Sequence, residues 1–162
     1  MKGYGYSLWA VPDCHKELAK QYGMCHIPHV TIETNSKTPL YANVGKRCVI
    51  SFKHGCHIFP SMYEHDIFQN SVGFYCELDG AQTRGHNPHM TVFYRGEDCD
   101  VEQIKPPKGS LHATIQSADT RSEDPAQWNV LTPDSRFLLC NVIGNLTILF
   151  VSAVAVAGIV LL

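Results

Sequence analysis

Two short segments share a pattern of histidine and threonine whose side chains could perform acid–base chemistry. Residues 26–32 read His-Ile-Pro-His-Val-Thr-Ile and residues 86–92 read His-Asn-Pro-His-Met-Thr-Val, with four of seven positions identical. Alternate residues of a strand face the same side, so each copy would present one imidazole and one hydroxyl together. These pairs are His29 with Thr31 and His89 with Thr91.

Two imidazoles and two hydroxyls on one surface suit the cleavage of a phosphodiester. Because the unperturbed pKa of histidine is about 6.5, a neutral imidazole can take a proton from water while an imidazolium protonates the leaving oxygen. Threonine hydroxyls can donate hydrogen bonds to the phosphate oxygens of the anionic transition state. We therefore predict His29, Thr31, His89 and Thr91 as the catalytic residues, with no cofactor and no bound metal.

Apolar alternation and turn residues predict the elements that carry these motifs. Strands are expected over residues 4–11, 29–34, 47–59, 71–78, 89–94 and 111–116, the third being bent or folded back at Gly55. A short helix is expected over residues 14–22, with Asp13 as N-cap and Gly23 at its end. In the two motif strands, Val30, Ile32, Met90 and Val92 alternate with the histidines and threonines and should face a core. The sum is an α+β domain dominated by strands.

The doubled His-x-Thr-apolar motif resembles that of the two-histidine (2H) phosphoesterase superfamily. The opening segment 6–12 (Tyr-Ser-Leu-Trp-Ala-Val-Pro), followed by a helix and the first motif, is similar to its cyclic nucleotide phosphodiesterase branch. Residues 118–128 also resemble the end of such domains, so the resemblance covers residues 4–130. Members usually have a helix leading into the second motif, whereas residues 79–88 here have the composition of a loop.

This resemblance implies a fold and an activity. The fold would be a duplicated, bilobal α+β domain with antiparallel sheets around a central cleft. The activity would be metal-independent hydrolysis of the 2′,3′-cyclic phosphate of a nucleotide or RNA end, with His29, Thr31, His89 and Thr91 as the catalytic set. A 2′,5′-oligoadenylate phosphodiesterase on the same fold is the nearest alternative.

Aromatic and basic residues close to the motifs are candidates for substrate binding. Tyr6 and Trp9 lie on opposite faces of the first strand, and Tyr94 and Arg95 directly follow the second motif. The expected substrate is a cyclic nucleotide or a short RNA-derived molecule, because long nucleic acids are gripped through many phosphate contacts and the net charge here is −2. No obligatory protein partner is inferred.

A non-enzymatic nucleotide-binding or zinc-binding module is the alternative from another class. Zinc could be bound by two His-x-x-His pairs with Cys25 nearby, the pairs being His26 with His29 and His86 with His89. This interpretation leaves the repeated threonines unexplained. For His26 and His86 we favour a hydrogen bond that stabilises the turn at the proline. A third His-x-Thr sequence, at residues 112–114, is interpreted as an ordinary strand.

Charge divides the chain into two parts. All 28 charged side chains precede residue 137, and 20 of the 26 residues from 137 to 162 are apolar. The net charge of −2 and the aromatic content exclude a disordered chain, and the 13 basic against 15 acidic residues exclude a strongly basic nucleic-acid-binding domain. A single apolar run excludes a multi-span membrane protein.

The apolar end predicts a membrane anchor. A helix of this length covers about 39 Å, more than the hydrocarbon core of about 30 Å. We therefore expect a domain over residues 1–130, a linker over 131–140 and a transmembrane helix over 141–162. Arg136 precedes the helix, which predicts a single-pass, tail-anchored protein whose domain faces the cytosol. Seven cysteines without a CxxC pair agree with a reducing compartment.

Overall fold

The computed structural model describes residues 4–60, 70–94 and 100–132. Within them the chain forms eight strands, one α-helix and two 3₁₀ turns, the latter at Val101–Gln103 and Pro125–Gln127. In chain order the longer elements are β1 (Tyr6–Pro12), α1 (His15–Tyr22), β2 (Val30–Ser36), β3 (Arg47–Phe52), β4 (His57–Pro60), β5 (Asn70–Asp79), β6 (His89–Phe93), β7 (Ser110–Asp119) and β8 (Asn129–Leu131).

All eight strands belong to one antiparallel sheet that closes on itself. The hydrogen-bonded order is β1-β2-β6-β5-β3-β7, and β7 pairs again with β1. β8 follows β3 along the same side of β7, and β4 follows β3 along the same side of β5. β3 and β4 therefore act as one strand interrupted around Gly55, whose φ is 84°, as the bent-strand prediction expected. Because the sheet is closed, each of the six strands in this order is paired along both of its edges. The motif strands β2 and β6 are two of these six.

The interior of the closed sheet is filled by alternate residues of each strand. On β1 the inward residues include Leu8 and Ala10, while β2 contributes Val30 and Ile32. β6 contributes Met90 and Val92, both almost inaccessible to solvent. The sequence prediction for these four motif residues is confirmed. Because side chains alternate across a strand, the histidine and threonine of each motif face outward.

The helix has the predicted end but not the predicted start. Gly23 adopts the left-handed conformation with φ 65°, and its N–H bonds to the carbonyl oxygen of Ala19. The N-cap is Cys14, which makes no capping bond through its side chain. Asp13 was the wrong choice because its carboxylate accepts both terminal N–H groups of Arg47, at 2.6 and 2.5 Å. That bidentate pair joins the start of the helix to β3.

The predicted fold class is wrong. Strand accounts for 45% and helix for 12% of the described residues, which form mostly antiparallel sheet with one α-helix instead of a bilobal α+β domain. Only residues 80–88 connect β5 to β6, and Gly80 and Gly85 turn the chain there with positive φ. This connection is too short for the helix that a second lobe would need. The two motif-bearing halves consequently share one sheet.

The predicted localisation is also corrected. Among residues 4–60, 70–94 and 100–132, no helix is long and apolar enough to cross a membrane. This finding contradicts the predicted tail-anchored arrangement and the membrane partnership that followed from it. The transmembrane helix expected over 141–162 lies wholly outside the described residues, as does nearly all of the linker. The residues described from 4 to 131 belong to one compact unit.

Candidate active site

The two motifs, 60 residues apart in sequence, meet side by side. β2 and β6 run antiparallel, with Val30 opposite Met90. In this register the neighbouring residues of the two strands also face one another, so each histidine lies beside the threonine of the other motif. The structure thus brings together all four predicted catalytic residues on the outer face of the sheet. The facing pairs are His29 with Thr91 and Thr31 with His89.

Both imidazoles are oriented by the same local hydrogen bond. Nδ1 of His29 lies 2.6 Å from the carbonyl oxygen of Ile27, and Nδ1 of His89 lies 2.9 Å from that of Asn87. A carbonyl oxygen can only accept, so Nδ1 carries the hydrogen in both rings. Neither Nε2 forms a hydrogen bond with the part of the chain that the structure describes. Nε2 is therefore the nitrogen available for proton transfer in each ring.

An aromatic ring supports each of these imidazoles. Trp9 stacks on His29 with a centroid distance of 3.8 Å and an interplanar angle of 14°. Phe59 stacks on His89 with a centroid distance of 4.6 Å and an angle of 28°. Packing on a flat ring restricts rotation of the imidazole about its side-chain torsions. The two motifs are therefore supported alike, although Trp9 lies on β1 and Phe59 on β4.

The other histidine of each motif crosses to the opposite strand. Nε2 of His26 lies 3.0 Å from the carbonyl oxygen of Thr91, and Nε2 of His86 lies 2.8 Å from that of Thr31. The Nε2–H groups donate these bonds. We expected a bond within the proline turn, but each side chain instead reaches a residue of the other motif. Thr31 and Thr91 directly follow Val30 and Met90, the residues that pair between β2 and β6. The carbonyl oxygen of each threonine therefore lies within reach of the histidine that precedes the other strand.

Burial controls the charge of the first motif. The pKa of His29 is lowered to about 3, first by burial and then by repulsion from His26 and His89. The pKa of His26 is lowered to about 4, again mainly by burial. The pKa of His89 is lowered as well, by burial and by the charge of His86. His29 and His26 are accordingly neutral at pH 7, and an anion bound beside His29 would raise its pKa.

The threonine hydroxyls are placed to bind a ligand. Thr91 is 5% exposed and Thr31 is half-buried. Within the described ranges neither hydroxyl hydrogen-bonds to protein. Beside Thr91, Gly73 allows β5 to approach closely, because a Cβ there would fall 2.1 Å from the carbonyl oxygen of Met90. Both hydroxyls therefore remain available as donors on the outer face, which also carries the two imidazoles.

The predicted substrate-binding residues occupy different surroundings. Trp9 is only 1% exposed and supports His29. Tyr94 packs edge-on against His26, at 4.8 Å between ring centroids. Tyr6 alternates to the other face of β1 from Trp9 and holds the guanidinium of Arg121 at 4.7 Å from its ring centre. Tyr6 and Trp9 therefore support the fold in this structure, while Arg95 lies outside the described residues.

Two residues near the site had no recognisable signal in their own sequence neighbourhood. Phe59 reaches His89 only because β4, β5 and β6 are adjacent, which no local pattern reveals. Tyr75 lies directly opposite His89 in the β5–β6 ladder and packs edge-on against Phe59 at 4.7 Å. The doubling of the whole pattern could have indicated the hydrogen bonds of His26 and His86, since both are repeated together with His29 and His89.

The described residues contain no cluster of side chains of the kind that the zinc-binding alternative requires. Among residues 4–60, 70–94 and 100–132, no group of three or more His, Cys, Asp or Glu side chains is arranged to hold a metal ion. Nε2 of His26 and both ring nitrogens of His86 instead face backbone carbonyl oxygens. Zinc binding through all four motif histidines would require these hydrogen bonds to be broken.

Comparison with known proteins assigns the chain to no family. No protein-family model, no curated protein and no solved structure matches the chain. The resemblance to 2H phosphoesterases therefore stays a prediction, carried by the repeated motif and by the arrangement of the four side chains.

Proposed function

We propose that this domain is a metal-independent phosphodiesterase that opens the 2′,3′-cyclic phosphate of a nucleotide or of a short RNA end. One observation carries the proposal: two histidines on adjacent strands have the same hydrogen-bonded Nδ1, the same aromatic support and an uncommitted Nε2. Each also lies beside a threonine whose hydroxyl is available. A solely structural role would not require both Nε2 atoms to stay without a protein partner.

In the proposed reaction the two imidazoles divide the proton transfers. Nε2 of neutral His29 accepts a proton from water as the water oxygen bonds to phosphorus. Nε2 of protonated His89 gives its proton to the ribose oxygen as the phosphorus–oxygen bond breaks. The product is a nucleotide with one free hydroxyl and one phosphomonoester. Deeper burial of His29, which lowers its pKa to about 3, is the reason for assigning it as the base.

The phosphate itself completes the electrostatics of the site. Its negative charge raises the pKa of both neighbouring imidazoles, which brings the acid nearer to its protonated form at neutral pH. The hydroxyls of Thr31 and Thr91 donate to the two non-bridging oxygens and stabilise the charge that builds up in the transition state. A small cyclic phosphate suits a site that has one such pair of donors.

The base or ribose fits better on the side of His89 than on that of His29. Tyr75 beside His89 is only partly buried, and His57 packs on it at 5.0 Å between ring centres. The neighbouring Ile58 is 51% exposed. On the side of His29, by contrast, Trp9 and Trp128 are buried. An aromatic side chain with an accessible face is the usual partner of a nucleobase.

The test is turnover of 2′,3′-cyclic nucleotides by the full chain in EDTA, beside 2′,5′- and 3′,5′-linked dinucleotides. We expect hydrolysis of the cyclic substrates and a loss of about 10³-fold in kcat for H29A and for H89A. The matched control is H112A, which removes an exposed histidine from the third His-x-Thr sequence, on β7. This variant should keep wild-type turnover.

Four outcomes would count against the proposal. Binding of cyclic nucleotides without hydrolysis would indicate the non-enzymatic alternative. Loss of activity in EDTA would favour a metal site, and preferential cleavage of the 2′,5′-linked dinucleotide would favour the oligoadenylate activity. Full turnover in the double variant H29A/H89A would remove the catalytic assignment.

A further inference from the structure

The two upstream histidines, His26 and His86, tie the motif strands together in a reciprocal way. His26 precedes β2 but bonds to Thr91 on β6, and His86 precedes β6 but bonds to Thr31 on β2. The ladder between these strands contains a single residue pair, Val30 with Met90. The two imidazole bonds are made on either side of that pair. They therefore brace the short ladder that joins the two halves of the site.

Each of these imidazoles also contacts the catalytic ring of its own motif. The ring centroids of His26 and His29 are 6.0 Å apart at an angle of 82°, and those of His86 and His89 are 6.0 Å apart at 75°. His26 thus contacts His29 and bonds to Thr91, which lies beside His29 on the other strand. His86 contacts His89 and bonds to Thr31 in the same way. Removal of either upstream ring would loosen both positions at once.

We propose that His26 and His86 are positioning residues that fix the distance and direction between His29 and His89. For its kinetic consequence this proposal rests on the proposed function. Neither upstream histidine transfers a proton to the substrate, because both Nε2–H groups are committed to backbone carbonyls. They act on the reaction by holding the threonine and the imidazole of the opposite motifs at the spacing that one phosphate requires.

The two positioning residues differ in the number of hydrogen bonds that their rings make. His26 is buried and neutral, and its Nδ1 has no hydrogen-bond partner among the described residues. His86 has Nδ1 at 3.0 Å from the carbonyl oxygen of Arg84 and Nε2 at 2.8 Å from that of Thr31. The bond from Nε2 is the one that joins His86 to the other motif strand.

The kinetic test compares a variant that loses the donor with one that keeps a donor. H26L and H86L leave a threonine carbonyl without its partner, whereas glutamine at either position offers an amide N–H. We expect each leucine variant to lose about 10²-fold in kcat with little change in KM, since about 1 Å of displacement costs that much. H26Q and H86Q should recover most of this loss. Equal kcat in the leucine variants and wild type would overturn the proposal.

A second measurement on the unmodified protein is independent of activity and of variant folding. Nitrogen-15 NMR of the histidine rings at pH 7 distinguishes the two neutral tautomers and the imidazolium. We expect a hydrogen on Nε2 of both His26 and His86, and the Nδ1–H tautomer for His29. An Nε2 without hydrogen at His26 or at His86 would overturn the brace. If wild type hydrolyses no cyclic phosphate, the proposed function fails while these spectra still decide the brace.

Discussion

The two halves of the site make the same kinds of hydrogen bond, but their surroundings differ. Around His29 the neighbouring rings of Trp9 and Trp128 are buried. Around His89, Phe59 is buried, but Tyr75 is partly exposed to solvent. Ile58, the residue before Phe59, is exposed as well. The same short motif therefore sets the ring tautomer, through the carbonyl two residues before each histidine. Tertiary neighbours set the burial, and with it the protonation state.

This difference explains how a duplicated motif can supply two unlike catalytic groups. Burial lowers the pKa of a histidine because the charged form loses its hydration. His29 is the more enclosed of the two, with its pKa lowered to about 3. Under the proposed function, equivalent residues would thus take opposite roles without any change in the motif.

Truncating the two supporting rings should affect folding unequally. Trp9 is packed among buried residues of β1 and β7 and against buried Trp128, so W9L should lower the free energy of unfolding by about 3 kcal/mol. Phe59 lies on short β4, which pairs only with β5, and F59L should cost about 1 kcal/mol. Urea unfolding monitored by circular dichroism measures both. Equal losses would show that the two halves are packed alike.

Removing either threonine hydroxyl should affect the two motifs equally. T31V and T91V preserve shape but delete a donor, and each should lower kcat by about 10²-fold because one transition-state hydrogen bond is lost. Steady-state kinetics with a 2′,3′-cyclic nucleotide provides the measurement. T114V, on β7, is the matched control and should keep wild-type kcat. A loss confined to one motif would contradict the binding of one phosphate between both.

Acidification should destabilise the fold through the first motif. The folded-state pKa values of about 4 for His26 and about 3 for His29 lie below the ordinary value, so the unfolded chain binds more protons below about pH 6.5. Stability should fall from pH 6.5 towards pH 4, by about 1.4 kcal/mol per pH unit for each histidine. The lowered pKa values of Asp13 and Asp119 contribute only at lower pH.

The matched variant for this pH dependence is H26Q, which removes one of the two buried histidines. Urea unfolding at pH 6.5 and pH 5 should show a smaller difference in this variant than in wild type. Stability that does not change between those pH values in wild type would show that the two rings are accessible to protons in the folded state.

The smallest effect is expected at Tyr6, on the opposite face of β1 from Trp9. Y6L removes only the partly exposed contact with Arg121 and should change kcat less than twofold. The same kinetic assay applies. A large rise in KM would restore Tyr6 as a substrate-binding residue and would place part of the site on the other face of the strand.

The sequence indicated the local pattern of the site better than its global setting. Alternation placed Val30 and Met90 in the core and turned the motif histidines outward, because strand geometry determines faces locally. Closure of the sheet through β1 and β7 depends on partners more than 100 residues apart, as in the pairing of Tyr6 with Asp119. Likewise, no local rule showed that Arg47 would take the carboxylate of Asp13 away from the helix.

The most direct test of the account is whether His29 and His89 contact the same phosphate. Nitrogen-15 NMR of the full chain, titrated with the 2′- or 3′-nucleotide monophosphate product, follows both Nε2 atoms at once. We expect both resonances to shift with one dissociation constant, and we expect H89A to abolish the shift at His29 or to weaken it severely. A shift at only one ring, or two different dissociation constants, would contradict a shared catalytic site.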